Sequence, residues 1–174
     1  MKGANKPWLY SFHMAYGDDY YGKIFAYFLN QGLNRKSVAI IRDKKSHAGS
    51  DFYESLMYWI PLFKMKVVAE GEYGRADAGS IASALRVLDG SGADVLLLAV
   101  PPEDIAAVVA AARKADFFGP IIGRGYHDSL WKDAGVALEG TWWITSVFSG
   151  DEQLRSFLRS YSDAYNDASV SRHL

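Results

Sequence analysis

Short apolar runs alternate with amphipathic stretches along most of this chain. Trp8–Met14 alternates apolar and polar residues, as in a half-buried strand. Asp18 and Asp19 precede Tyr20–Asn30, where Ile24, Phe25, Tyr27 and Phe28 recur at helical spacing. Two acids in a first turn suit the positive end of a helix dipole, and Gly32 is the expected C′ residue. Val38–Ile41 reads as a strand and Asp43–Gly49 as a polar loop. Ser50 or Asp51 is the expected cap of the next helix, with Glu54 completing a capping box. That helix carries Phe52, Leu56, Tyr58, Trp59 and Ile60, and Pro61 marks its end.

The alternation continues. A strand opens at Lys66–Ala69 and exits through Tyr73–Asp77. Ile81, Leu85 and Leu88 form a helical stripe, closed by Gly90-Ser91-Gly92. Val95–Val100 is an apolar strand bounded by Pro101-Pro102. Glu103 and Asp104 open an Ala-rich helix to Ala115. Pro120–Ile122 is a short strand, Ser129–Asp133 a short helix, Thr141–Val147 a strand, and Leu154–Tyr165 a final helix. Middle strands that are apolar throughout need helices on both faces. The pattern predicts an α/β fold: three α/β/α layers around a doubly wound, mainly parallel sheet.

The 174 residues suit one domain. A net charge of −1 gives no reason to expect nucleic acid. The absence of cysteine removes thiol catalysis, disulfides and Cys-ligated metals. No apolar run is long enough to span a membrane, and Met1–Pro7 lacks the apolar core of an export signal. The polar 167–174 segment reads as a cut end.

In open α/β sheets ligands bind beyond the carboxyl ends of the strands. Those exits carry His47, Ala48, Tyr73, Arg75, Pro101, Pro102, Arg124, Tyr126, His127, Asp128 and Ser146. The mixture of rings, small residues and a few charges suits a small polar organic ligand. Each has a plainer reading too. His47 reads equally as a surface histidine. Tyr126 and His127 read equally as ordinary loop residues, and Arg124 as a carboxylate clamp or the partner of an acidic neighbour. Trp142-Trp143 reads as half core and half helix packing, and the rings of Tyr20–Phe28 as core or interface.

Enzyme signatures fail on the residues. Gly123-Arg124-Gly125 opens like a dinucleotide loop, but Asp128 stands where a third glycine is needed. Neither a phosphate loop nor a nucleophile elbow occurs. The four histidines are not paired as metal ligands. No catalytic residue, metal or cofactor is expected.

Several segments, taken in order, resemble the periplasmic binding proteins of the leucine/isoleucine/valine receptor family. They are Phe12-His13 with Asp18 or Asp19 and Tyr21-Gly22; Ser37–Asp43 followed by His47-Ala48-Gly49-Ser50; Ala93-Asp94-Val95-Leu96; Gly119–Gly123; and Leu138-Glu139-Gly140. The resemblance implies a Rossmann-like lobe of the type I fold, the second of two lobes that close on a ligand. Residues 1–174 would then be one ligand-binding lobe and a fragment of a two-lobe receptor. It also implies a periplasmic or extracellular location, a missing N-terminal lobe, an ABC permease as partner, and an amino acid or an aromatic or aliphatic carboxylate as ligand. The ligand-contacting tyrosine of the family's loop is replaced by His47. Another contact falls at Pro101 or Pro102. The nearest candidate for the acid that receives an amino group is Asp128. These departures imply an altered ligand, aromatic or lacking an α-amino group. Tyr10, Phe12 and Tyr20 are candidates for an exposed face that supports a homodimer. The competing readings are a sensor domain of a signalling protein and a small α/β enzyme with a loop-built site.

Overall fold

The computed structural model describes residues 17–74, 78–127, 129–144 and 152–165, with the side chains of His47, Ala48 and Ala78 excepted. The strand expected at Trp8–Met14 and the end of the one expected to reach Val147 lie outside the described residues.

Among the described residues five strands form one sheet: β1 Ser37–Asp43, β2 Lys66–Tyr73, β3 Val95–Ala99, β4 Ile121–Arg124 and β5 Thr141–Ile144. Their spatial order is β2-β1-β3-β4-β5. β1 pairs parallel with both β2 and β3, and β3 pairs parallel with β4. The helices are α1 Asp18–Tyr27, α2 His47–Leu62, α3 Ala78–Leu85, α4 Ile105–Lys114, α5 Ser129–Ala134 and α6 Glu152–Tyr165. The order in space reverses direction at β1, as the doubly wound pattern requires.

Alternate residues of a strand face opposite sides of the sheet. Ala39, Ile41, Leu96 and Leu98 join Leu85, Ile105, Val108, Val109, Ala112 and Leu130 in one buried cluster. That layer is built by α3, α4 and α5. Val38, Ile40, Val95 and Leu97 are equally buried and point the other way. Phe25, Leu29, Phe52, Leu56 and Ile60 of the α1 and α2 layer are buried on that side. The continuous apolar runs of β1 and β3 are thus explained by cover on both faces.

Local chemistry departs from the sequence reading at three ends. α2 begins within the expected loop: its cap is Ser46, whose Oγ accepts from the Gly49 amide at 3.2 Å. Ser50 and Asp51 are already helical, so no capping box forms with Glu54. Pro61 does not stop α2, which includes it in the last turn and runs to Leu62. After α1 the chain makes a wide turn over Phe28–Gly32, and the left-handed residue is Asn34 with φ 50° rather than Gly32.

Asp94, just ahead of β3, ties the amino ends of two strands together. Its carboxylate accepts from the amides of Lys36 and Ser37, each at 3.1 Å. Arg113 plays the same part lower in the chain, donating to the carbonyls of Phe117, Gly119, Ala137 and Glu139 at 2.7–3.3 Å. Burial of its guanidinium pushes the Arg113 pKa down.

The edge strand β2 alternates exposed and covered positions. Arg42 pairs with Glu72 and lies 4.1 Å from the Tyr53 ring centroid, while the Tyr53 hydroxyl donates to Glu70. The Arg42 hydrogen bond holds the Glu72 carboxyl below its usual range. Burial, then the Glu70 contact, pushes the Tyr53 phenol up from 10.0 to about 12. A raised phenol pKa means that the unfolded chain loses this proton first. Its stabilisation is therefore complete below pH 10.0 and lost as pH rises to about 12. In chemical denaturation across that window, Tyr53→Phe should lose less stability than the parent chain. Equal losses would refute the assignment.

Helix α6 belongs to the second of two units of the chain. Leu154, Phe157, Leu158, Tyr161 and Tyr165 recur at helical spacing. Its rings meet in succession at a tilt, with centroids 6.1 Å apart for Phe157–Tyr161 and 4.6 Å for Tyr161–Tyr165.

Candidate functional site

The carboxyl ends of β1, β3 and β4 converge on one edge of the sheet. At the end of β1, Asp43 is buried and its Oδ1 accepts from the Lys45 amide at 2.9 Å. The chain then turns through Ser46 into α2, so His47 and Ala48 occupy the first helical turn at this edge. Placing them there aims the positive end of the α2 dipole outward from the strand tips. Gly49 permits the approach: a Cβ on it would lie 2.8 Å from the Ala99 carbonyl oxygen at the end of β3.

From β3 the chain passes through buried Pro101 to exposed Pro102, which begins a short helical turn to Asp104. The Tyr73 hydroxyl, at the end of β2, donates to Asp104 Oδ2 at 2.8 Å and pins that turn. Gly125 follows β4 with φ +82°, a conformation favouring glycine. A Cβ there would stand 3.3 Å from Pro102 Cγ. The Pro101-Pro102 turn and the Gly125–Tyr126 exit therefore share one patch of the edge.

Tyr126 is 47% exposed, with its ring centroid 6.1 Å from that of Trp143. Trp143 in turn covers Gly123, where a Cβ would meet its ring at 2.5 Å. Trp142 lies on the other face of β5 against Phe28, centroids 5.5 Å apart. The tryptophan pair thus divides between two packing roles. His127 shares a 2.7 Å hydrogen bond between Nδ1 and Ser129 Oγ at the start of α5.

Arg124 turns to the α1–α2 side. It pairs with Asp18 and stacks over Phe52 at 4.7 Å and Tyr21 at 5.8 Å. Here the acidic-neighbour reading describes its contact, and the partner comes from a residue 106 positions away. Asp128, Arg75 and Ser146 lie outside the described residues. Sequence reasoning missed Ser46, Tyr21 and Phe52, together with the Tyr73–Asp104 bond. Only Ser46 had a local signal, a serine just ahead of an apolar-periodic segment.

No group of acids and histidines that could hold a metal occurs among the described residues. No described helix is long and apolar enough to cross a membrane.

The same architecture recurs in solved receptors. A leucine-binding protein of Thermotoga maritima superposes with a TM-score of 0.75 at 19% identity, covering 86% of this chain and 44% of its own. A branched-chain amino acid substrate-binding protein of Streptococcus pneumoniae, solved with isoleucine, gives 0.69 at 21% identity, covering 88% and 44%. An extracellular ligand-binding receptor of Verminephrobacter eiseniae gives 0.70 at 24% identity, covering 89% and 45%. The chain thus spans less than half the length of these proteins. No curated protein sequence matches it. A family profile described as periplasmic binding protein matches residues 4–173. With that match over nearly its whole length, the chain belongs to the periplasmic binding protein family.

Proposed function

We propose that this chain is a solute-receptor lobe serving an ABC importer in the periplasm or outside the cell. Its ligand class is amino acids or related small carboxylates, and it carries no catalysis of its own. The observation that carries this reading is the convergence of the α2 first turn, the Pro101-Pro102 turn and the Gly125–His127 exit at one sheet edge. His47, Ala48, Pro101, Pro102, Arg124, Tyr126, His127 and Asp128 form the proposed ligand-facing set. Arg124 serves it indirectly, holding α1 and α2 beside the edge through Asp18 and Phe52. An outward helix N-terminus favours a carboxylate, and the exposed Tyr126 ring offers an apolar surface. His47 in place of a tyrosine favours an aromatic acid, or one without an α-amino group, over an aliphatic amino acid.

A pocket that encloses a small ligand needs two walls, and the strand tips supply one. Hinge closure around a ligand is a general property of periplasmic binding proteins. Titration calorimetry of this chain with leucine, phenylalanine and benzoate should therefore give affinities weaker than about 1 µM. Any binding that is measured should weaken in Tyr126→Ala. Sub-micromolar leucine binding by the chain alone would overturn both the one-wall argument and the altered ligand. Turnover of any of these compounds would overturn the receptor reading. Homodimerisation through exposed rings is part of the same proposal, and light scattering across a dilution series decides it.

A further inference from the structure

A cleft of about 470 Å³ lies between α1 and α2, and it touches the proposed ligand-facing set through the Asp18–Arg124 pair. It is lined by Asp18, Asp19, Asp51, Glu54, Tyr58 and Trp59, with Ser55 at its base. Asp18 is committed to Arg124. Asp51 and Glu54 are exposed and form no ion pair among the described residues.

The floor is rigid. The Asp19 carbonyl accepts from both the Ser55 hydroxyl at 3.1 Å and the Trp59 indole N–H at 3.0 Å. The second of these bonds fixes the orientation of the indole against α1. The Lys23 ammonium lies 5.4 Å from the Trp59 ring centroid, so this ring already has a cation from within the chain, and the two acids Asp51 and Glu54 carry the groove's open charge.

The rings continue past the cleft. Tyr58 meets Trp59 edge-on at 5.1 Å, Trp59 meets Phe63 at 6.3 Å, and Phe63 meets Tyr27 at 6.2 Å. Tyr58, Leu62 and Tyr27 are each more than half exposed. An apolar strip of this kind beside an acidic rim marks a surface for a protein partner. A small cation would use the cleft and leave the strip bare.

We infer that the α1–α2 groove docks a protein segment presenting an arginine beside apolar side chains. The guanidinium sits between Asp51 and Glu54, and the apolar residues cover Tyr58, Leu62 and Tyr27. This role is independent of what the strand ends bind.

The test is amide and indole NMR of the intact 174-residue chain, titrated with a helical peptide that carries arginine and leucine on one face. Arginine amide serves as the small-cation probe. The peptide should shift the Trp59 indole signal and the amides of Asp51, Glu54 and Tyr58, and should bind more weakly in high salt. The surface variant D51N/E54Q should bind the peptide about tenfold more weakly. Unchanged signals at these residues, or unchanged affinity in the variant, would overturn the inference. Arginine amide binding as tightly as the peptide would also overturn it, by assigning the groove to a small cation.

Discussion

Arg113→Met should lower the unfolding free energy by about 3 kcal/mol, read as a fall in the denaturant midpoint with an unchanged slope. Arg113 stands in the last turn of α4 and donates to four carbonyls on two separate segments. Two of these, Phe117 and Gly119, belong to the turn that leads into β4. The other two, Ala137 and Glu139, belong to the turn that leads into β5. Methionine keeps much of the stem's packing but leaves those carbonyls without their donor. A hydrogen bond from a charged donor contributes about 1.5–3 kcal/mol, and the loss stays near that range because the freed carbonyls belong to half-buried residues or, at Glu139, an exposed one that water can reach. Arg113→Lys should recover only part of the loss, because an ammonium cannot reproduce the fixed fork of a guanidinium. Full recovery with lysine would mean that charge near the α4 terminus matters and the fork does not.

Gly22→Ala should cost about 2–3 kcal/mol, although alanine is the better helix former. Gly22 lies inside α1, where propensity alone predicts that the change stabilises by up to about 1 kcal/mol. Packing decides otherwise. A Cβ on Gly22 would fall 2.0 Å from Ser55 Oγ, 2.8 Å from Ser55 Cβ and 2.9 Å from the Ser55 carbonyl carbon. The hydroxyl can rotate away, but the other two atoms belong to the body of α2. The helices must separate, which disturbs the Phe25–Phe52 edge contact at 5.0 Å. Adding Ser55→Ala should therefore restore little of the loss, since the Cβ and backbone remain. A thermal scan of the single and double variants checks this. An unchanged or raised melting temperature for Gly22→Ala would show that α1 and α2 are less tightly apposed.

These two positions separate what each level of description contributes. Apolar runs at Val38–Ile41 and Val95–Val100, flanked by amphipathic stretches, were enough to read the layered parallel sheet. Burial on both faces leaves a signature in every residue of such a strand. The helix from Leu154 and the break at Gly90-Ser91-Gly92 were legible for the same local reason: periodicity and turn chemistry act over a few residues. The ordered segments resembling the receptor family were legible too, and the profile match bears them out.

The site was legible only as a set of strand exits. Which side chains meet there depends on contacts between residues far apart in the chain. Arg124 had two open roles in the sequence, and its pairing with Asp18 was set by the start of α1 lying within reach of the end of β4. The start of α2 was missed because Ser46, Ser50 and Asp51 are all competent caps. The choice fell to Ser46 because Gly49 allows the helix to begin hard against the Ala99 carbonyl. Gly22, likewise, is an unremarkable small residue until α2 is laid beside it. Periodicity, a property of neighbours along the chain, therefore encodes the layers, whereas steric fit between distant segments selects the partners at the strand tips.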